Sequence, residues 1–332
     1  MDSITQIVVG IATVEAVAGK ELKNKSFLLG AILGTLPDLD VWIGKLFSYE
    51  MELAFHRSFT HSILGILVLS PLIAFILFKI WQQLSFKKWM LVVAATFATH
   101  ILIDLFTSWG VQLLYPLPDR FSFKTIFVVD LFYTIPWIIC LILVFRRKEF
   151  SHRLRLLKIG FFVSSSYLLL TVFIKLYVVN QVEKALQSKA ISIENLIVKP
   201  TFSNCILWNV NVKTEDAYLI GNYSLLDSQP FRVAETYPRD RNLEKTFMYV
   251  PTVHQLMEVS EYWFTIHKAE NDNYVFNDLR FGTIELETGV KQFAFSYKIR
   301  SAKENFAIEP LPKTFRDGKQ TLQNTWNRLK GN

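Results

Sequence analysis

Histidine, aspartate and arginine gather at three places where long apolar runs begin or end. Phe55-His56-Arg57-Ser58-Phe59-Thr60-His61-Ser62 stands directly before an uncharged apolar run. Pro37-Asp38-Leu39-Asp40 closes one apolar segment, and His100-Ile101-Leu102-Ile103-Asp104 closes another. Ionisable side chains at the edge of a membrane span are costly and mark function by default. Imidazole nitrogen and carboxylate oxygen together suit a divalent ion, Zn before Mn or Fe. The chemistry that set could perform is metal-assisted hydrolysis.

Spacing shapes the expected geometry. His100 and Asp104, four residues apart, share one face of a helix. His56 and His61, five apart, do not. They converge if His56 lies on an incoming loop and His61 in the first helical turn, with Ser58 or Thr60 as the cap. Asp38 and Asp40 follow Pro37, where a helix must break. As alternate residues of an extended piece they point the same way and repel unless a cation or Arg57 sits between them. The candidate metal ligands are therefore His56, His61, His100, Asp104, Asp38 and Asp40. Asp38 or Asp40 is the candidate general base, and Arg57 is placed to fork onto a substrate phosphate. Each piece alone has a plainer meaning: a histidine bonded to an aspartate in a bundle, solvated acids at a span end, a snorkelling arginine. The three together point to a shared site.

The elements that must position these residues are membrane helices. The chain has 332 residues, 51% of them hydrophobic and 28 of them Phe. Before about residue 180 the apolar residues come in long runs, and after it they alternate with polar ones. The fold class expected is an α-helical multi-pass membrane domain of about five to six helices over 1–180, followed by a small β-rich soluble domain over 181–332. The expected spans are Ile4–Ala18 (short or re-entrant), Ser26–Ile43, Ser62–Phe78 with Ile80 and Trp81, Trp89–Phe106, Ile126–Phe145 and Ile159–Val179. Without a basic leading region or cleavage site, the first is expected to stay in the mature protein.

The formal charge of +7 does not call for nucleic acid, because the excess sits in short basic blocks beside apolar runs: Lys20/Lys23/Lys25, Lys87/Lys88 and Arg146 to Lys158. Such blocks face the cytoplasm. With the 146–158 loop inside, all six candidate ligands fall at the outer interface, and the C-terminal domain lies outside the cytoplasmic membrane. Glu15 falls toward the inner end, where Lys20 is its expected partner; Gln6 and Asp130 fall at the outer level. Strands are expected around Cys205–Val212, Ala217–Tyr223, Glu261–His267 and Lys291–Lys298, and a mobile tail after Lys313. Two cysteines, Cys140 and Cys205, make neither a disulfide framework nor a thiolate site.

Met1-Asp2-Ser3-Ile4-Thr5-Gln6, Gly34-Thr35-Leu36-Pro37-Asp38-Leu39-Asp40, His56 to Ser62 and His100 to Gly110 resemble the YdjM/YbcI-like family of bacterial inner-membrane proteins, described as membrane-bound metal-dependent hydrolases. The likeness covers about the first 180 residues. Many members carry histidine where this chain has Gln6, so either the site has one imidazole fewer or that position lies outside it. The family is distantly similar to zinc-dependent phospholipase C and related nucleases, which implies phosphodiester cleavage as the reaction class and names no substrate. The function expected is a membrane-bound metal-dependent hydrolase at the outer face of the inner membrane, acting on a phosphoester or lipid-like substrate. The rival is a non-catalytic membrane protein: a metal carrier, assembly factor or anchor for the β domain.

Overall fold

A computed structural model of the chain describes residues 1–44, 46, 55–269, 273–285, 291–301, 306–312 and 318–331. It divides into two compact units, one of 1–46, 55–174 and 202–205, the other of 47–54, 175–201 and 206–332.

The first unit is helical. In chain order it holds α1 (Ser3–Leu22), α2 (Lys25–Thr35), a 3-10 turn (Leu36–Leu39), α3 (Asp40–Gly44), a second 3-10 turn (Phe59–His61), α4 (Ile63–Ile80), α5 (Phe86–Phe106), α6 (Leu131–Phe145) and most of α7 (Phe150–Gln187). Five segments are long and apolar enough to cross a membrane: α1, Lys25–Gly44, α4, α5 and α7. With 15 residues, α6 is shorter, about 22 Å against a hydrocarbon core of about 30 Å. On α4, Leu67 and Leu72 are more than half exposed, as expected for a face in contact with lipid.

The short Lys23–Asn24 connection folds α1 and α2 into a hairpin. Its halves meet through Gly10, Gly30 and Gly34. A Cβ on Gly34 would collide with the Gln6 carbonyl oxygen of α1, and one on Gly10 with the backbone of Gly30 and Gly34. Only bare backbones can approach so closely. Val14, Ala18, Leu22, Leu29, Leu33, Trp89, Val93 and Phe97 form one buried cluster against this hairpin, and Val8, Val9, Ile103, Trp137 and Leu141 another.

Several boundaries differ from expectation. Helix α1 is a full 20 residues rather than a short or re-entrant piece. Ile126–Asp130 is not helical; Asp130 caps α6 instead, accepting from Tyr133 N. The basic stretch expected as a loop is mostly the first turns of α7, which runs unbroken through Gln187. Glu15 pairs with Arg153 Nη2 at 2.8 Å and accepts from Ser26, not with Lys20. A fully buried carboxylate needs a buried cation, and exposed Lys20 cannot reach inward.

The second unit holds two four-stranded antiparallel meanders, β1 (Asn195–Pro200), β2 (Leu207–Lys213), β3 (Ala217–Ser224), β4 (Glu235–Pro238) and β5 (Phe264–Lys268), β6 (Tyr274–Glu285), β7 (Lys291–Ser301), β8 (Phe306–Pro310), joined by α8 (Arg241–Met248) and α9 (Pro251–Val259). All four expected strands are present, with shifted ends. The two sheets touch through Asn211 Nδ2, which donates to the Leu279 carbonyl, and an edge-to-face Tyr237–Phe293 pair. Arg280 is buried in the β6 bulge. Burial opposes its charge, but Asp278 and Glu261, both hydrogen-bonded to it, hold its pKa above the usual value. The tail expected to be mobile is partly ordered: Lys313–Asp317 lies outside the described residues, whereas Gly318–Leu329 forms α10, tied down by Arg328 on Asp227.

The glycine seam gives a direct test. Gly34→Ala should lower the stability of the detergent-solubilised protein by about 1–3 kcal/mol. A thermal unfolding midpoint equal to wild type would show that the hairpin does not depend on this contact.

Candidate metal centre

The polar residues named above come together at one end of the helical unit, and each arrives by a different device. Pro37 sits in the first turn of the 3-10 segment, where its missing N–H costs nothing. The chain there is helical rather than extended, so Asp38 and Asp40 turn to different partners. Neither Ser58 nor Thr60 caps α4. That role belongs to Ser62, whose Oγ accepts from Gly65 N at 2.9 Å, leaving His61 in the 3-10 turn ahead of the helix. His100 and Asp104 lie on the last turns of α5, as their spacing requires.

Four ligand atoms converge. His61 Nε2 is 3.1 Å from His100 Nε2, 3.2 Å from Asp38 Oδ1 and 3.4 Å from Asp104 Oδ2. His100 Nε2 is 3.5 Å from the same Asp38 oxygen and 3.7 Å from the same Asp104 oxygen. Among the described residues this is a group that could hold a metal ion. A tetrahedron of nitrogen and oxygen ligands with bonds of 2.0–2.2 Å has edges of about 3.3–3.6 Å, and the five separations bracket that value.

The hydrogen bonds behind the imidazoles fix which nitrogen faces inward. His100 Nδ1 donates to the Gly34 carbonyl at 2.7 Å, so its Nε2 carries a lone pair in the neutral ring. Thr60 Oγ1 donates to Asp40 Oδ2 at 2.7 Å and therefore accepts from His61 Nδ1 at 2.9 Å. His61 Nε2 then also presents a lone pair. Asp38 Oδ1 and Asp104 Oδ2 are buried and accept no hydrogen bond. Four electron-rich atoms within 4.8 Å of one another, with His61, His100 and Asp104 each held from behind by a hydrogen bond, form an arrangement that a divalent cation satisfies. The donor set fits such an ion.

The remaining candidates surround this set. Asp40 Oδ1 accepts from His56 Nδ1 at 2.9 Å, and its Oδ2 accepts from Arg57 N at 3.0 Å. His56 and Asp40 are thus paired with each other beside the four donors. Arg57 is buried, its Nε 3.3 Å from Asp104 Oδ2 and its Nη1 donating to Thr107 Oγ1. It offsets the charge of Asp104 rather than standing between Asp38 and Asp40. Its backbone is left-handed at φ 61°, a conformation that costs about 1–3 kcal/mol outside glycine, held by Asp40 on its N–H and by Gln112 N on its carbonyl. Asp104 Oδ1 accepts from Gln6 Nε2 at 3.1 Å and contacts the Met1 amino group. Gln6 therefore supports a candidate ligand from behind. Asp130 lies in a separate network with Tyr167 and Tyr133 N. His56 and Asp38, 24% and 22% exposed, are the open side of the cluster, the other four candidates being almost wholly buried.

Two contributions had little signal in the sequence. Thr60 suggested a helix cap and instead links His61 to Asp40. Gly34 orients His100 through its carbonyl, and a backbone acceptor leaves no mark on residue type.

Residues 1–182 match the family described as YdjM inner membrane protein. The chain belongs to that family. It is also similar to YfhP of Bacillus subtilis (strain 168), described as an uncharacterized protein, at 24% identity over 229 residues, 67% of this chain and 68% of that one. No solved structure matches the chain. All of the candidate residues lie within the YdjM-family region, and the family and the apolar helices together support a membrane location.

Thr60→Val keeps the shape of the side chain and removes the hydroxyl that orients His61. It should weaken retention of a divalent ion by about 10–100-fold, read by metal titration of the purified protein. An unchanged affinity would remove Thr60 from the site.

Proposed function

We propose that this YdjM-family protein is a membrane-bound metal-dependent hydrolase whose site faces the outer side of the cytoplasmic membrane and accepts a phosphoester or lipid-like substrate. The observation that carries the proposal is the meeting of the buried Asp38 and Asp104 carboxylate oxygens with two imidazole nitrogens, each histidine–histidine and histidine–aspartate separation lying between 3.1 and 3.7 Å. Asp38, His61, His100 and Asp104 hold the ion, with zinc favoured and manganese or iron also compatible with nitrogen and oxygen ligands. When bound, a divalent ion there supplies Lewis-acid chemistry, acidifying water and polarising the scissile bond.

The protein's own groups supply the rest. Asp40 holds His56 by Nδ1, so that Nε2 of this partly exposed ring takes a proton from the attacking water and returns it to the leaving oxygen. Asp40 thus acts through His56 and through Thr60. Arg57, 3.3 Å from Asp104, adds positive charge beside the place a phosphate would occupy. Gly34 and Thr60 fix the imidazoles before substrate arrives. On this reading His56 is the proton-transfer group rather than a fifth ligand.

Elemental analysis of the detergent-purified protein tests the reading. About one divalent ion per chain is expected in wild type, absent from folded His61→Ala and His100→Ala. His56→Ala should keep the ion and lose phosphodiester hydrolysis by about 10²–10⁴-fold. A wild type that takes up no ion on reconstitution would overturn the proposal and favour a structural role. For sidedness, a cysteine at Lys148 should react with an impermeant thiol reagent only from the cytoplasm, and one at Asp119 only from outside. The reverse pattern would put the site on the inner face.

A further inference from the structure

The helical unit contains a second, chemically different cavity: an apolar crevice of about 340 Å³ between α1, α5, α6 and α7, walled by side chains such as Val9, Ala16, Ile103 and Trp137. Its volume lies within the range of small-molecule sites. Along α7 the wall runs from Leu154 to Leu168, about 21 Å at helical rise, whereas one leaflet of hydrocarbon is about 15 Å deep. The shape suits one extended acyl chain.

Three polar features separate this crevice from an ordinary seam between helices. Lys158 is the one ionic residue among its lining side chains. It is exposed and lies within the basic segment that also carries Arg147 and Arg155, so its end of the crevice complements an anionic headgroup. Ser164 is 2% exposed, and its hydroxyl has no hydrogen-bond partner. The Thr13 and Thr99 hydroxyls on the same wall, by contrast, bond their own helix carbonyls and each other. Trp137 Nε1, near the Tyr133 hydroxyl, is likewise buried without a hydrogen bond of normal geometry. The indole packs on Gly160, where a Cβ would press against its ring. A buried hydroxyl without a partner, and a buried indole N–H whose nearby Tyr133 oxygen is poorly placed to accept, are costly unless a ligand brings an acceptor.

We propose that the crevice binds one phospholipid, with an acyl chain along the apolar wall, the phosphate at Lys158 and the Ser164 and Trp137 donors facing an acyl-ester carbonyl. This site is independent of the metal reading. It shares helix α5 with the metal centre, since Thr99 and Ile103 line the crevice and adjoin His100 and Asp104 in sequence.

Native mass spectrometry of the full chain in detergent, titrated with palmitoyl-oleoyl phosphatidylglycerol or phosphatidylcholine, tests it. Wild type should show one tightly held lipid before any further binding. Ala16→Trp, which fills the crevice from an exposed position, should weaken that first step at least about tenfold for both lipids; Leu102→Trp serves if Ala16→Trp does not fold. Lys158→Glu should lose phosphatidylglycerol by about fivefold or more and phosphatidylcholine less. No discrete first lipid in wild type, or undiminished binding by a folded crevice-filled variant, would overturn the proposal.

Discussion

Two carboxylate oxygens and two imidazole nitrogens press against one another at the end of a membrane helix bundle, and the surrounding structure is arranged around that crowding. In water such a cluster would fly apart or take up protons. Here three of the four groups are pinned from behind: His100 by the Gly34 carbonyl, His61 through Thr60 to Asp40, Asp104 by Gln6 and Arg57. Low-dielectric surroundings magnify both the repulsion without a cation and the attraction with one. Holding like-charged atoms this close is worth the cost of ordering them only where something positive occupies the centre.

The cost is met by unusual backbone. A helix is interrupted at Pro37 so that Asp38 and Asp40 can turn inward. Arg57 sits in the left-handed region so that its N–H meets Asp40 while its guanidinium meets Asp104. Gly10, Gly30 and Gly34 let α1 and α2 close to backbone contact, which brings Gln6 and Gly34 to the site from either side of the hairpin. A second buried ion pair, Glu15 with Arg153, ties α1 to α7. Breaking it would leave an uncompensated charge among apolar helices.

The family match ends at residue 182, just before the strands begin, so what this chain shares with the YdjM family is the N-terminal helical part. The similarity to YfhP spans 229 residues, more than the family region contains, and therefore reaches into the β-rich part as well. That part has its own aromatic core, with Phe247, Phe264, Phe276 and Tyr297 at its centre.

By itself the sequence determined which segments are apolar enough to cross a membrane and which residue types wait at their ends. Long apolar runs and charged breaks follow directly from the cost of burying charge in hydrocarbon, and the fourfold spacing of His100 and Asp104 puts both on one face of any helix. Alternating aromatic and polar residues likewise marked four of the strands. Only the tertiary structure decided which candidates converge. His56 and His61 lie five residues apart, yet a 3-10 turn sends one to Asp40 and the other into the four-donor set, and Asp38 and Asp40 part company for a similar reason. The choice of Arg153 over Lys20 for Glu15, and of the Gly34 carbonyl for His100, joins residues 138 and 66 positions apart. Local pattern carries no record of such pairings, because the free energy that selects them comes from burying and satisfying both partners at once.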